Sequence, residues 1–181
     1  MTEPEVILRI ALYYLKNHLT DEDIYVSIDG AHVKTGNTIH FDIRLFLKEN
    51  GCIHISEDSE RWQGEYKVTG CEYNLVIIST PGVGDVKVHL EEGKELLIEA
   101  KKGKTNKSGQ EYVLMREAIG QLMTNDNWKE YTIPVVAVPY SEKSHELAKR
   151  WSKVAQIKKM GIEFMLVKDD GVIEWIGCNR M

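Results

Sequence analysis

The chain has 181 residues, enough for one domain with a substantial core, and its 43% apolar content is ordinary for a globular protein. No apolar run approaches ~18 residues, which argues against a helical membrane span, and the start Met1-Thr2-Glu3-Pro4-Glu5 is acidic rather than signal-like. A net charge of −5 argues against a generic polyanion binder, but residues 1–92 hold 8 Lys/Arg against 16 Asp/Glu while residues 93–181 hold 15 against 12. The scattered cysteines Cys52, Cys71 and Cys178 predict a reducing, cytoplasmic setting, with neither a disulfide framework nor a zinc site.

In chain order, residues 2–19 predict a helix. Thr2-Glu3-Pro4-Glu5 has the form of a capping box with Pro in the first turn, and Val6, Ile10, Ala11 and Tyr14 give an apolar face that Leu8, Leu12 and Leu15 widen. Residues 24–28 form a short strand, followed by a loop around Gly30 and Gly36. Residues 38–48 form a longer strand, with a hairpin turn at Glu49-Asn50-Gly51 and a return strand at 52–55. Asp42 in that hairpin resembles a strand-borne carboxylate, but no acid and lysine pair follows beyond its turn. Residues 56–64 form an acidic loop whose Trp62 either packs down on the core or sits exposed, packing being the commoner fate of a lone aromatic there. Strands follow at 64–71 and 73–79, the second carrying the run Leu75-Val76-Ile77-Ile78 of a strand covered on both faces. Pro81-Gly82-Val83-Gly84 lacks the lysine and spacing of a phosphate-binding loop and is a turn.

The next stretch organises the rest. Val86, Val88 and Leu90 alternate with Lys87 and His89, Glu91-Glu92-Gly93-Lys94 makes a turn, and Leu96-Leu97-Ile98 opens a more central strand that ends in Glu99-Ala100-Lys101. Asp85 stands seven residues before Glu92 and Glu99 seven after it, so a hairpin folded there returns Asp85 to the side of Glu99. Glu99 and Lys101 are two apart and share a strand face, roughly 6.5–7 Å from each other. Two carboxylates so placed suit a hard divalent cation such as Mg2+, and a neighbouring lysine suits an attacking water or developing negative charge.

Beyond the hairpin, residues 103–109 are a basic loop and residues 111–124 a helix. Tyr112, Met115, Ile119, Leu122 and Met123 line its buried face, and Glu117 and Gln121 are i,i+4 neighbours on another stripe. A buried parallel-type strand at 131–138 ends at Pro139. Ser141 caps a helix running to about residue 160, and residues 162–167 and 172–176 form a closing hairpin. Helices and strands in this order describe one α/β domain with a mixed sheet.

The motifs resemble those of the PD-(D/E)XK nuclease superfamily. Gly84-Asp85 stands where that family has its first metal-binding aspartate and Glu99-Ala100-Lys101 where it has its E-x-K. The stretch Glu117-Ala118-Ile119-Gly120-Gln121-Leu122 is similar to the helix whose glutamine faces the site. The resemblance covers residues 73–138, and the tyrosine that some members carry four residues after the glutamine is Asn125 here. It implies a restriction-endonuclease-like mixed sheet flanked by helices, with residues 1–72 as N-terminal additions, 73–138 as the core and 139–181 as a C-terminal helix and hairpin. It further implies that Asp85, Glu99 and the Ala100 carbonyl hold Mg2+, with Mn2+ as a substitute, that Lys101 positions or activates water, and that Gln121 supports the site. Glu5, on the leading helix, is the accessory acid it suggests.

The expected function is metal-dependent hydrolysis of phosphodiester bonds in DNA. Lys102, Lys104 and Lys107 are the candidate backbone contacts, and a homodimer cutting both strands is compatible with the size. The alternatives are a non-catalytic nucleic-acid-binding or structural member of the same fold, and a small enzyme unrelated to nucleic acid. The last requires Asp85 and Glu99 to lie apart.

Overall fold

In this computed structural model residues 1–58, 60–80, 83–103 and 109–177 are described. Helix α1 spans Glu3–Lys16. Thr2 caps it, its hydroxyl accepting from the Glu5 N–H at 3.4 Å, and Pro4 sits in the first turn, where no intrahelical donor is needed. Only half of the expected capping box forms, because the Glu5 carboxylate turns along the helix to Arg9 at 2.8 Å. There follow β1 (Ile24–Ser27), α2 (Gly30–Val33), β2 (Lys34–Thr35), β3 (Thr38–Ile39), α3 (Ile43–Glu49), β4 (Cys52–His54), β5 (Gly64–Val68), β6 (Asn74–Ile78), β7 (Val86–Leu90) and β8 (Lys94–Ala100). The chain continues through α4 (Gln110–Met123), β9 (Thr132–Pro139), α5 (Glu142–Trp151), α6 (Ala155–Met160), β10 (Glu163–Val167) and β11 (Ile173–Ile176).

The large sheet runs β11-β10-β9-β8-β7-β1-β6-β5-β4. It is mixed: β1 with β6, β8 with β9 and β9 with β10 pair in parallel, and the other described neighbours are antiparallel. Residues 1–72 contribute to its middle as well as its edge, since β1 lies between β6 and β7. Alternation along β8 sorts the core in two. Leu96, Ile98 and Ala100 join α1's Leu8, Ile10 and Leu15 on one face, and Leu97 joins Met115, Ala118 and Leu122 of α4 on the other. Burying such side chains contributes about 1.5–3 kcal/mol each. The parallel pairing of β9 on both sides agrees with its apolar run. Among the described residues no helix is long and apolar enough to cross a membrane.

Three expectations are corrected. The strand expected at 38–48 is a two-residue strand followed by α3. Asp42 is the N-cap of α3, its Oδ1 accepting the Leu45 N–H at 3.0 Å, and Ile43 and Leu47, four residues apart, turn inward together. The helix expected from Ser141 to about residue 160 breaks after Trp151 and restarts at Ala155, with Gly161 at φ 68° closing α6. In β6, Val76 and Ile78 are only partly buried, so that strand alternates instead of being covered on both faces. The loop around Gly30 and Gly36 contains α2, capped by Asp29, and the small β2–β3 ladder. Trp62 packs against the core beside Gly30, as a packing residue should.

Because Asp42 is a cap, Asp42→Ala is expected to cost about 1 kcal/mol of stability in chemical denaturation. It should leave cation binding unchanged, which a metal-ligand role would not.

Candidate active site

The β7–β8 hairpin closes through a 3-10 turn at Glu91–Gly93, with Gly93 at φ 71°. Val86 pairs with Ile98, so the next position outward sets Asp85 against Glu99. Three hydrogen bonds fix Asp85: its N–H donates to Ile98 O at 3.0 Å, its carbonyl accepts from Ser27 N–H at 2.9 Å, and its Oδ2 accepts from Ala100 N–H at 2.7 Å. Gly84 before it has φ 82°, and a Cβ there would stand 2.5 Å from Leu97 Cδ1. Glycine is therefore favoured by the backbone conformation, and a larger residue would also have to displace the Leu97 side chain.

Glu99 and Lys101 follow Leu97 at intervals of two and share its face of the sheet, the face α4 covers. Both are buried, at 7% and 4% exposure. Lys101 Nζ lies 3.6 Å from Glu117 Oε1 on α4. The Asp85 and Glu99 carboxyls are within hydrogen-bonding reach of each other. Burial, and then the Glu99 charge, push the Asp85 carboxyl up to about 8; the Ala100 N–H and Lys101 oppose this, and Glu3 adds to it. Burial also raises Glu99, against the Lys101 charge and the hydrogen bond with Asp85. In the absence of a cation the pair thus retains a proton where free carboxyls would have lost theirs.

An open cavity of about 1200 Å³ lies over this end of the sheet. It is bounded by the N-terminal turn of α1, by α2, and by α4, with Asp85, Glu99, Lys101 and Gln121 all lining it. Chain comparisons return no match: no family model, no curated protein and no solved structure. The site therefore has to be understood from its own geometry.

That geometry gathers most of the expected residues. Lys102 is exposed at the cavity edge, and Ala100 is buried at the same strand end with its N–H on Asp85. Lys104 and Lys107 lie outside the described residues. Glu5 does not line the cavity, and Glu3 does. Two residues along an α-helix are about 200° apart, so the pairing of Glu5 with Arg9 leaves Glu3 to face the carboxyl pair. Glu117 and His32 are further cavity residues to which the motifs gave no role. Glu117 had a signal in its i,i+4 spacing from Gln121; His32 had none.

Among the described residues no group of three or more His, Cys, Asp or Glu side chains is set to hold a metal ion. The donor set is nevertheless suited to Mg2+, which is commonly held by one or two carboxylates together with waters and substrate phosphate. Two buried carboxyls forced together, both with raised proton affinity, form a site whose repulsion a divalent cation relieves.

Proposed function

We propose that this chain is a divalent-cation-dependent nuclease, hydrolysing phosphodiester bonds in DNA on a restriction-endonuclease-like scaffold. The observation that carries the reading is the hairpin register that sets Asp85 opposite Glu99 with Lys101 on the Glu99 face. Asp85 and Glu99, with the Ala100 carbonyl, would hold Mg2+ or Mn2+. The ion when bound supplies charge neutralisation at the phosphate and a more acidic water. Lys101 then fixes the attacking water, its ammonium held by Glu117, and donates hydrogen bonds to charge developing on the phosphoryl oxygens. Gln121, one turn along α4 from Glu117, orients water or phosphate from the same wall. Lys102 at the rim offers a contact to the backbone of the nucleic acid. The thiols of Cys52 and Cys71 are free, in keeping with a cytoplasmic location.

The test is a cleavage screen over duplex, branched and single-stranded DNA, with RNA as the contrast. DNA cleavage that requires Mg2+ or Mn2+ and stops on chelation is expected. A non-catalytic member of the fold is the second reading, favoured by the withdrawal of the Lys101 charge into its pair with Glu117. It predicts nucleic-acid binding without cleavage at any cation concentration.

A further inference from the structure

The cavity contains a second pair of facing ionisable side chains, on elements other than the one that carries Glu117. His32 Nδ1 lies 3.1 Å from Glu3 Oε1, with the Glu3 side chain 14% exposed and the His32 side chain 48% exposed. His32 lies in the single turn of α2, which packs on α1, and Glu3 opens α1. Helix α1 covers one face of the sheet and α4 the other, so the cavity at the sheet end has His32 and Glu3 on one side and Glu117 and Gln121 on the other. Glu3 and His32 line the same cavity as Asp85, Glu99 and Lys101.

We propose that His32 is the proton donor to the departing oxygen in the hydrolysis, with Glu3 as the residue that positions its ring; this rests on the phosphodiesterase reading above. The two ring nitrogens have different tasks. Nδ1 faces Glu3 Oε1 at 3.1 Å, and Nε2, which has no hydrogen-bond partner among the described residues, is left for a ligand in the cavity. Three other cavity groups that could give a proton already have partners. Lys101 is buried against Glu117, Asp85 is tied to Ala100 N–H and Glu99, and His40 Nε2 meets Thr35 Oγ1 at 3.1 Å.

Displacement at phosphorus runs in line, so water arrives on one side and the alcohol oxygen leaves on the other. Lys101, paired with Glu117 of α4, and His32 of α2 line the cavity from different elements, and in this proposal they serve the entering and departing sides of that path. The water oxygen forms the new P–O bond and releases a proton to solvent. The old P–O bond breaks, its electron pair stays on the departing oxygen, and that oxygen takes the Nε2 proton of the imidazolium. His32 then regains a proton from solvent, and the sum is diester plus water giving monoester plus alcohol.

The experiment compares wild type, His32→Gln and Glu3→Gln on a DNA oligonucleotide with one mapped cut site. The oligonucleotide is made either with the natural bridging oxygen on the released side or with sulfur in its place, and Mn2+ is present. A thiolate departs without a proton. His32→Gln is expected to lose about 10²–10⁴-fold on the oxygen substrate and far less on the sulfur substrate. Glu3→Gln should show the same split at smaller size, and Mg2+ binding by His32→Gln, measured calorimetrically, should match wild type. Equal losses on both substrates, or weakened Mg2+ binding, would overturn the role of His32 and leave the nuclease reading standing. Absence of DNA cleavage by wild type would remove the nuclease reading and this inference together.

Discussion

Lys101→Met is expected to lower Mg2+-dependent DNA cleavage by at least about 10²–10³-fold while leaving the protein folded. The lysine follows β8 on the Glu99 face with 4% exposure, and although its ammonium pairs with Glu117 its charge still lowers the proton affinity of both carboxyls, with little water to weaken it. Methionine keeps most of the side-chain length and volume and removes only the charge. The partner left behind, Glu117, has a side chain 53% exposed and can be rehydrated, so no buried acid is stranded on α4. Asp85 and Glu99 do lose the cation that holds their proton affinity down, and both should rise further. Thermal melting should therefore show a midpoint equal to wild type or higher at acid pH, where the pair is protonated. Single-turnover cleavage at saturating Mg2+ measures the loss. Wild-type rates in Lys101→Met would remove Lys101 from the mechanism, and a collapsed fold would show that its role is structural.

The part of the molecule that prediction depends on was legible because it is local and periodic. Val86, Val88 and Leu90 alternate, the turn carries Gly93, and symmetry about Glu92 gives the pairing of Asp85 with Glu99 that the register shows. The face shared by Glu99 and Lys101 needs only a period of two. The helix expected at 111–124 forms at 110–123 and the buried strand expected at 131–138 forms at 132–139, but Tyr112 and Met123, expected on the helix's buried face, are exposed. The failures come where two periods fit one stretch. Ile39, Phe41, Ile43, Leu45 and Leu47 alternate like a strand, yet Ile43 and Leu47 also satisfy a helix, and Asp42 decides between them by capping. Ile39 at 63% and Leu45 at 50% exposure show that the alternating set has no common buried face.

The part of the cavity that carries Glu3 and His32 was illegible for a different reason. Glu3 and His32 are distant in sequence and meet only because α2 packs against α1. Choosing between Glu3 and Glu5 required the rotational phase of α1 relative to the sheet, which the pairing of Glu5 with Arg9 reveals and composition does not. The break between α5 and α6 has no Pro or Gly within residues 152–154 to mark it.

Asp85→Asn is expected to abolish cleavage and at the same time stabilise the fold by about 1–2 kcal/mol at pH 8, roughly 2–8 °C in melting temperature. Asparagine keeps the acceptor for the Ala100 N–H and gains an amide donor for the Glu99 carboxylate, so both contacts of Asp85 survive without its charge. The pH dependence follows from the raised proton affinity. Below about pH 4 the Asp85 carboxyl is protonated whether the chain is folded or unfolded and contributes no difference. Between there and its folded value of about 8, the unfolded chain gives up a proton that the folded chain retains. This carboxyl's contribution to stability therefore falls as pH rises through that window and levels off above it, and Glu99 acts in the same direction. The gap between Asp85→Asn and wild type should be small at pH 5 and widen toward pH 8 in guanidinium titrations. Saturating Mg2+ should narrow it again, by stabilising wild type through the carboxylates the variant lacks. A variant less stable than wild type at pH 8, or a gap that shrinks with rising pH, would mean that Asp85 and Glu99 do not confront each other as buried like charges, and the case for a cation between them would fail with it.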